Sequence, residues 1–233
     1  MKAFAYPLAF LNALCVALLC LYVAVNIPTF SMAFYRWQFD VNDTMAVIGI
    51  EEEELLRVTS HMLGYIRGQE PDLQIVAIVE GQPRPFFNQR EILHMIDVYE
   101  LFAMGRQLRN GAISLIVATT AILFVMRVRL MAVLARAYRA TTMGMLLIAV
   151  ALAVPFVADF HYAFIIFHEI FFDNELWQLN PETDLLINVV PLSFFITISI
   201  FIGVIFSGLM LLVGLLSNAY VRTLPARKVP KLP

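Results

Sequence analysis

The chain has 233 residues, is 61% apolar, and carries a mean hydropathy of +0.78 and a formal net charge of −2. Soluble domains are about 45–50% apolar, so an ordinary water-soluble domain is excluded. The near-balanced charge names no partner by itself.

The apolar excess lies in four runs, 4–27, 112–126, 143–172 and 189–216. A spanning helix needs about 20 mainly apolar residues. Runs one, three and four meet this, and a helix entering from 108 brings the second to length. The expected fold is mainly α and integral to a membrane. It has four spanning helices and a small α+β extracytoplasmic domain between the first two.

Charge asymmetry orients the spans. Lys2, the segment with Arg127, Arg129, Arg136 and Arg139, and the tail with Arg222, Arg227, Lys228 and Lys231 contain no acid, and every acidic residue lies between Asp40 and Asp184. Lysine and arginine collect in short cytoplasmic loops. The expected layout is therefore span one at 1–27, an outer domain at 28–110 and span two at 111–126. A cytoplasmic loop at 127–142, span three at 143–172, an outer loop at 173–188, span four at 189–216 and a cytoplasmic tail at 217–233 follow. The first run is long for a signal peptide and lacks a small-x-small cleavage site, so it reads as an uncleaved anchor. Cys15 and Cys20 lie inside it as apolar fillers, with no disulfide expected.

In the outer domain, Tyr35, Arg36 and Trp37 suit a membrane interface. Residues 45–50 read as a short strand or a membrane-dipping loop. Leu55, Leu56, Met62, Leu63 and Ile66 recur at helical spacing over 51–67. Glu51 to Glu54 favour the start of that helix and Gly68 its end. Leu73 to Val79 reads as a strand, and 81–85, with Pro83 and Pro85, as a turn.

Asn88 and Glu91 form a capping-box pattern. The helix they open carries Glu91, His94 and Asp97 on one face. Those residues make a short polar line in an apolar helix. Span three holds Asp159 and His161 near its outer end, with His168 two turns further on the same face and Pro155 predicting a kink. Ionisable residues at a membrane span are functional candidates by default. The fourth span is structural.

The chemistry these groups offer is limited. No His-x-x-x-His pair, outer cysteine, Gly-x-Ser-x-Gly elbow or phosphate-cradling glycine loop is present. What remains is two histidines with carboxylate neighbours, suited to general acid–base work. A two-histidine metal site with Asp184 and a non-catalytic docking face both stay open at this point.

His94-Met95-Ile96-Asp97-Val98, then Phe167-His168-Glu169-Ile170-Phe171-Phe172 with Asn174, Trp177, Leu179, Pro181, Thr183, Asp184 and Leu185, resemble the bacterial lipoprotein intramolecular transacylase family. Tyr99, Glu175 and Asn180 depart from its pattern. The resemblance implies an acyltransferase in the bacterial plasma membrane with its site on the extracytoplasmic side. It would move the sn-2 acyl chain of a diacylglyceryl lipoprotein from glycerol oxygen to the N-terminal cysteine amine. The product would be a lyso-form, N-acyl S-monoacylglyceryl lipoprotein. It implies no cofactor, no metal and no nucleic-acid partner, only lipoprotein and membrane lipid. On this view His94 is the base, oriented by Asp97, and His168 the acid or oxyanion donor, although the two roles can be exchanged. Glu91, Asn174, Asp184, Trp177 and His161 support them.

Overall fold

The computed structural model describes residues 4–224, so Lys2, Arg227, Lys228 and Lys231 lie outside the described residues. In chain order the elements are α1 (Ala5–Thr29), α2 (Met32–Val41), α3 (Thr44–Ile48), α4 (Glu52–Arg67), β1 (Val76–Val79), β2 (Gln82–Pro85), α5 (Gln89–Val125), α6 (Leu130–Ala158), α7 (Phe160–Phe171), α8 (Leu186–Val189) and α9 (Leu192–Thr223). Among the described residues, four helices are long and apolar enough to cross a membrane: α1, α5, α6 and α9. At 37 residues, α5 is about 55 Å long, nearly twice a hydrocarbon core of about 30 Å. Its apolar part is the C-terminal half, so the turns bearing His94 are not needed to span.

Residue contacts divide the chain into two units. The first contains 1–23, 109–152 and 204–233. Its core uses a small-residue stripe on α1, Ala5, Ala9 and Ala13, packed with Leu123, Val133, Leu134 and Ala137. Small residues let helix backbones approach closely in lipid, where dispersion replaces the hydrophobic drive. Beside the stripe, Asn12 is fully buried. Its Nδ2 lies 2.9 Å from Thr119 Oγ1 and 3.1 Å from the Ile116 carbonyl, and its Oδ1 accepts the Tyr138 hydroxyl at 2.6 Å. One amide thus joins α1, α5 and α6.

The second unit contains 24–108 and 153–203. The segment 28–110 does not close a core by itself. Phe34, Phe39, Leu55, Met62, Phe86 and Met95 share theirs with Leu186, Val189, Phe194 and Ile198. The helix over 51–67 forms as its periodicity predicts, buries Leu55, Val58, Met62, Leu63 and Ile66, and ends on left-handed Gly68 (φ 77°).

Three local expectations change. Residues 45–50 are neither strand nor dipping loop; α3 occupies most of them and ends on left-handed Gly49. Of residues 81–85, expected as a turn, only Gly81 is in one; 82–85 form strand β2. The turn is Glu80–Gly81, with φ 53° and 75°, as a two-residue hairpin loop of the I′ type demands. Pro83 and Pro85 sit opposite Ile78 and Val76, on an edge strand where proline is tolerated. The apolar run 143–172 is not one helix. Pro155 lies inside α6, but the break falls at Asp159, whose backbone is extended (φ −154°, ψ 93°) and whose carboxylate caps α7 by accepting the Tyr162 N–H at 3.0 Å.

Asn12→Ala removes the amide joining three helices and leaves the Tyr138 hydroxyl without its acceptor. Interhelical hydrogen bonds in membranes are worth about 0.6–1.7 kcal/mol each. A lower midpoint of thermal unfolding in detergent is expected, with Asn12→Gln intermediate. An unchanged midpoint would show that the amide carries no load.

Candidate active site

The site begins at the start of α5. Glu91 N–H donates to Asn88 Oδ1 at 3.1 Å, and Asn88 N–H donates to Glu91 Oε2 at 2.6 Å, the reciprocal pair of a capping box. The other carboxylate oxygen, Oε1, accepts the N–H of Leu186, the first residue of α8, at 2.6 Å. Glu91 is 1% exposed. A buried carboxylate is tolerable only when such donors replace its water.

Asp184 ties the same region from the other side. Its Oδ1 accepts Asn88 Nδ2 at 2.7 Å and the Thr183 hydroxyl at 3.0 Å, and its Oδ2 accepts the Asn180 N–H at 2.7 Å. Burial pushes its pKa up, but these hydrogen bonds and the Arg90 charge outweigh burial and hold it below the usual 3.8. Nearby, the Arg90 guanidinium donates to the Glu175 carbonyl.

One turn beyond Glu91 lies His94, buried, with its Nδ1 unpartnered. Its ring centre is 6.3 Å from that of His168. Phe172 touches both imidazoles, at 5.3 Å and 5.5 Å between centroids. His168 sits in the last turn of α7, a helix of 12 residues, about 18 Å long and too short to span. Its imidazole is held between two rings, Phe164 at 4.1 Å and Trp177 at 4.7 Å. Nδ1 lies 2.7 Å from the Phe164 carbonyl oxygen. A carbonyl only accepts, so Nδ1 carries the proton, and in the neutral ring Nε2 keeps a free lone pair. Burial draws the His168 pKa below its ordinary value, with the carbonyl hydrogen bond working against it. The neutral ring is the form burial favours.

Among the described residues Asp97 makes no hydrogen bond or ion pair with His94, although its charge works against burial to raise the His94 pKa. Its Oδ2 accepts Asn174 Nδ2 at 2.9 Å, and Asn174 Oδ1 in turn accepts the Leu176 N–H at 2.9 Å. These two residues latch the loop that carries Trp177. His161 is exposed and makes no hydrogen bond or ion pair among the described residues, so it stands apart from the pair. Asp159 serves as a cap and not as its partner. Phe164 and Arg90 are not singled out from sequence, and Phe172 enters only as part of the motif that carries the resemblance. Phe164 has a signal there, since it precedes His168 by one helical turn. Among the described residues, no three His, Cys, Asp or Glu side chains converge as a metal site would require.

Together these features describe a helical integral membrane protein built around two buried, aromatic-walled histidines. The family model for the lipoprotein intramolecular transacylase Lit matches residues 10–195, and the chain belongs to that family. Its fold is that of the membrane-integral lipoprotein intramolecular transacylase Lit from Bacillus cereus. The TM-score is 0.76 at 16% identity over 95% of this chain and 98% of the other. Two variants of the same Bacillus cereus protein, with one histidine replaced by alanine or by arginine, match with TM-scores of 0.73 and 0.72 at 16% identity. Each match covers 95% of this chain, and 95% and 93% of theirs. No curated protein matches in sequence.

The lowered pKa of Asp184 has a direction-specific consequence. Its contribution to stability is complete above the unfolded value of 3.8 and is lost as pH falls through the lower folded value. Asp184→Asn should therefore unfold more easily than wild type at neutral pH, and the difference should close on acidification below that window. A difference that stays constant down to strongly acid pH would contradict this linkage.

Proposed function

We propose that the chain transfers the sn-2 acyl group of a diacylglyceryl lipoprotein from the glycerol oxygen to the α-amine of the N-terminal cysteine. The observation that carries the reading is the His94–His168 pair, 6.3 Å between ring centres, with the His168 tautomer set by the Phe164 carbonyl. Membership of the transacylase family supports the substrate class. The arginine-rich segments support a site on the extracytoplasmic side.

Of the two exchangeable role assignments, the tautomer supports the one with His168 as base. His168 Nε2 is the free lone pair, so His168 is the base. A free α-amine has a pKa of about 7.7–8.0, so part of it is already deprotonated near neutral pH. As the amine nitrogen bonds to the ester carbonyl carbon, His168 Nε2 takes its proton. Burial pushes the His94 pKa down to about 4, so its ring is neutral. As the carbon–oxygen bond to glycerol breaks, His94 gives its ring proton to the departing oxygen while its other nitrogen takes the proton held by His168, and no imidazolate forms. That proton passes from His168 to His94 in the same step, through solvent or directly. Ester and amine become amide and alcohol with no net proton. Nucleophile and ester belong to one molecule, so proximity supplies much of the rate.

In this scheme Asp97 and Asn174 hold the loop over the pair, Trp177 and Phe164 fix the His168 ring, and Glu91 and Asp184 fix the helix ends beneath His94.

His94→Ala and His168→Ala should each lower transfer by about 10²–10⁴-fold, the usual worth of a positioned acid or base. Transfer is read by mass spectrometry of the lipoprotein N-terminal peptide. The roles are separated by a substrate whose sn-2 ester has a leaving group that needs no proton. That substrate should rescue His94→Ala and leave His168→Ala impaired. Rescue of His168→Ala alone would restore the opposite assignment, and full activity in both variants would remove the histidine mechanism.

A further inference from the structure

Between Phe156 and His168, four of the seven aromatic side chains stand four residues apart, at 156, 160, 164 and 168, while His161, Tyr162 and Phe167 lie off that line. The spacing continues across the break at Asp159. Ring centroids stand 5.6 Å apart for Phe156–Phe160, 6.4 Å for Phe160–Phe164 and 4.1 Å for Phe164–His168. Phe195 of α9 backs Phe164 at 5.1 Å. Upstream, the same run is aliphatic, from Leu146 to Val154. Each phenyl ring keeps part of its surface open: Phe156 is 39% exposed, and Phe160 and Phe164 are half-buried. The file therefore offers a narrow apolar surface that starts in the third long helix and ends on the imidazole assigned as base.

The reaction needs a surface of this kind. An ester carbonyl held at His168 carries an acyl chain that must leave the site through apolar surroundings. A ladder of rigid rings binds such a chain at low entropic cost, because each ring has only two rotatable side-chain bonds. Phe164 is continuous with the base through both its ring and its carbonyl. A chain lying on the file would present its carbonyl carbon next to Nε2.

We propose that Phe164, Phe160 and Phe156, in that order from the histidines, form the track for the sn-2 acyl chain and set the chain length the enzyme prefers. The assignment rests on the transacylase reading above. Phe164 also holds His168, so the test uses the two outer rings.

The substrates are synthetic diacylglyceryl cysteinyl peptides in detergent micelles, with a palmitoyl sn-1 chain and an sn-2 chain that is either butanoyl or palmitoyl. For Phe160→Ala, kcat/KM with the sn-2 palmitoyl substrate should fall about tenfold, in the range a truncated apolar contact commands. The sn-2 butanoyl substrate, too short to reach that ring, should keep its wild-type rate. Phe156→Ala should show a smaller loss, confined to the palmitoyl substrate. Equal losses for both substrates, no loss for either, or a loss confined to the butanoyl substrate would overturn the track and leave the transacylase reading standing. Absence of transfer by the wild-type protein with every substrate would instead be the failure of that reading, and the track would fall with it.

Discussion

One buried carboxylate, Glu91, serves two helix N-termini at once. Its two oxygens accept the N–H of Asn88 at the head of α5 and the N–H of Leu186 at the head of α8. Those N–H groups have no partner inside their own helices, and burial removes water as an alternative. Hydrogen bonds to a charged group are worth about 1.5–3 kcal/mol each, so the two together weigh heavily on a protein with marginal net stability. The geometric effect matters more. Residues 88 and 186 are far apart in sequence, and Glu91 fixes both to one point. Asp184 closes the same junction through Asn88. His94 stands one turn beyond Glu91, and its position is inherited from this junction.

The second histidine is positioned by different forces. Among the described residues, His168 has no carboxylate partner. A backbone carbonyl of its own helix holds one ring nitrogen, and Phe164 and Trp177 lie against the ring. A carboxylate beside the imidazole would favour the charged form. A carbonyl selects a tautomer at much smaller electrostatic cost. The unpartnered Nδ1 of His94 and the free Nε2 of His168 are therefore complementary. One ring offers a nitrogen with no internal use, and the other offers a lone pair that its surroundings cannot occupy. Buried polar atoms without partners are uncommon and are expected where a substrate completes the network.

Much of this was legible in the sequence, and the limits have physical reasons. The long apolar runs stand out because a bilayer demands about 20 apolar residues whatever the tertiary fold. The Asn88–Glu91 box is readable because both partners lie within one turn. Both histidines surface because an ionisable group beside a membrane span needs an explanation. Long-range partners left no such mark. Nothing in the order of residues shows that Asp97 accepts a hydrogen bond from Asn174, or that the Phe164 carbonyl lies on His168 Nδ1. The hairpin was hidden because Pro83 and Pro85 look like turn residues until the pairing register is known. The break at Asp159 was hidden because Pro155 is the more obvious interruption, whereas the side-chain cap does the work. The alanine stripe on α1 escaped because alanine is apolar anywhere, and only packing gives its spacing a meaning.

The central claim is that ester and amine react within one substrate molecule held between two histidines. A crossover experiment tests it directly. Two diacylglyceryl lipoproteins are mixed with the protein, one with isotope-labelled peptide and sn-2 chain, the other unlabelled in both. Mass spectrometry of the N-terminal peptides then reports which acyl group sits on which amine. Only fully labelled and fully unlabelled amides are predicted, whatever the mixing ratio. Amides pairing a labelled chain with an unlabelled peptide would show transfer between molecules and contradict the account.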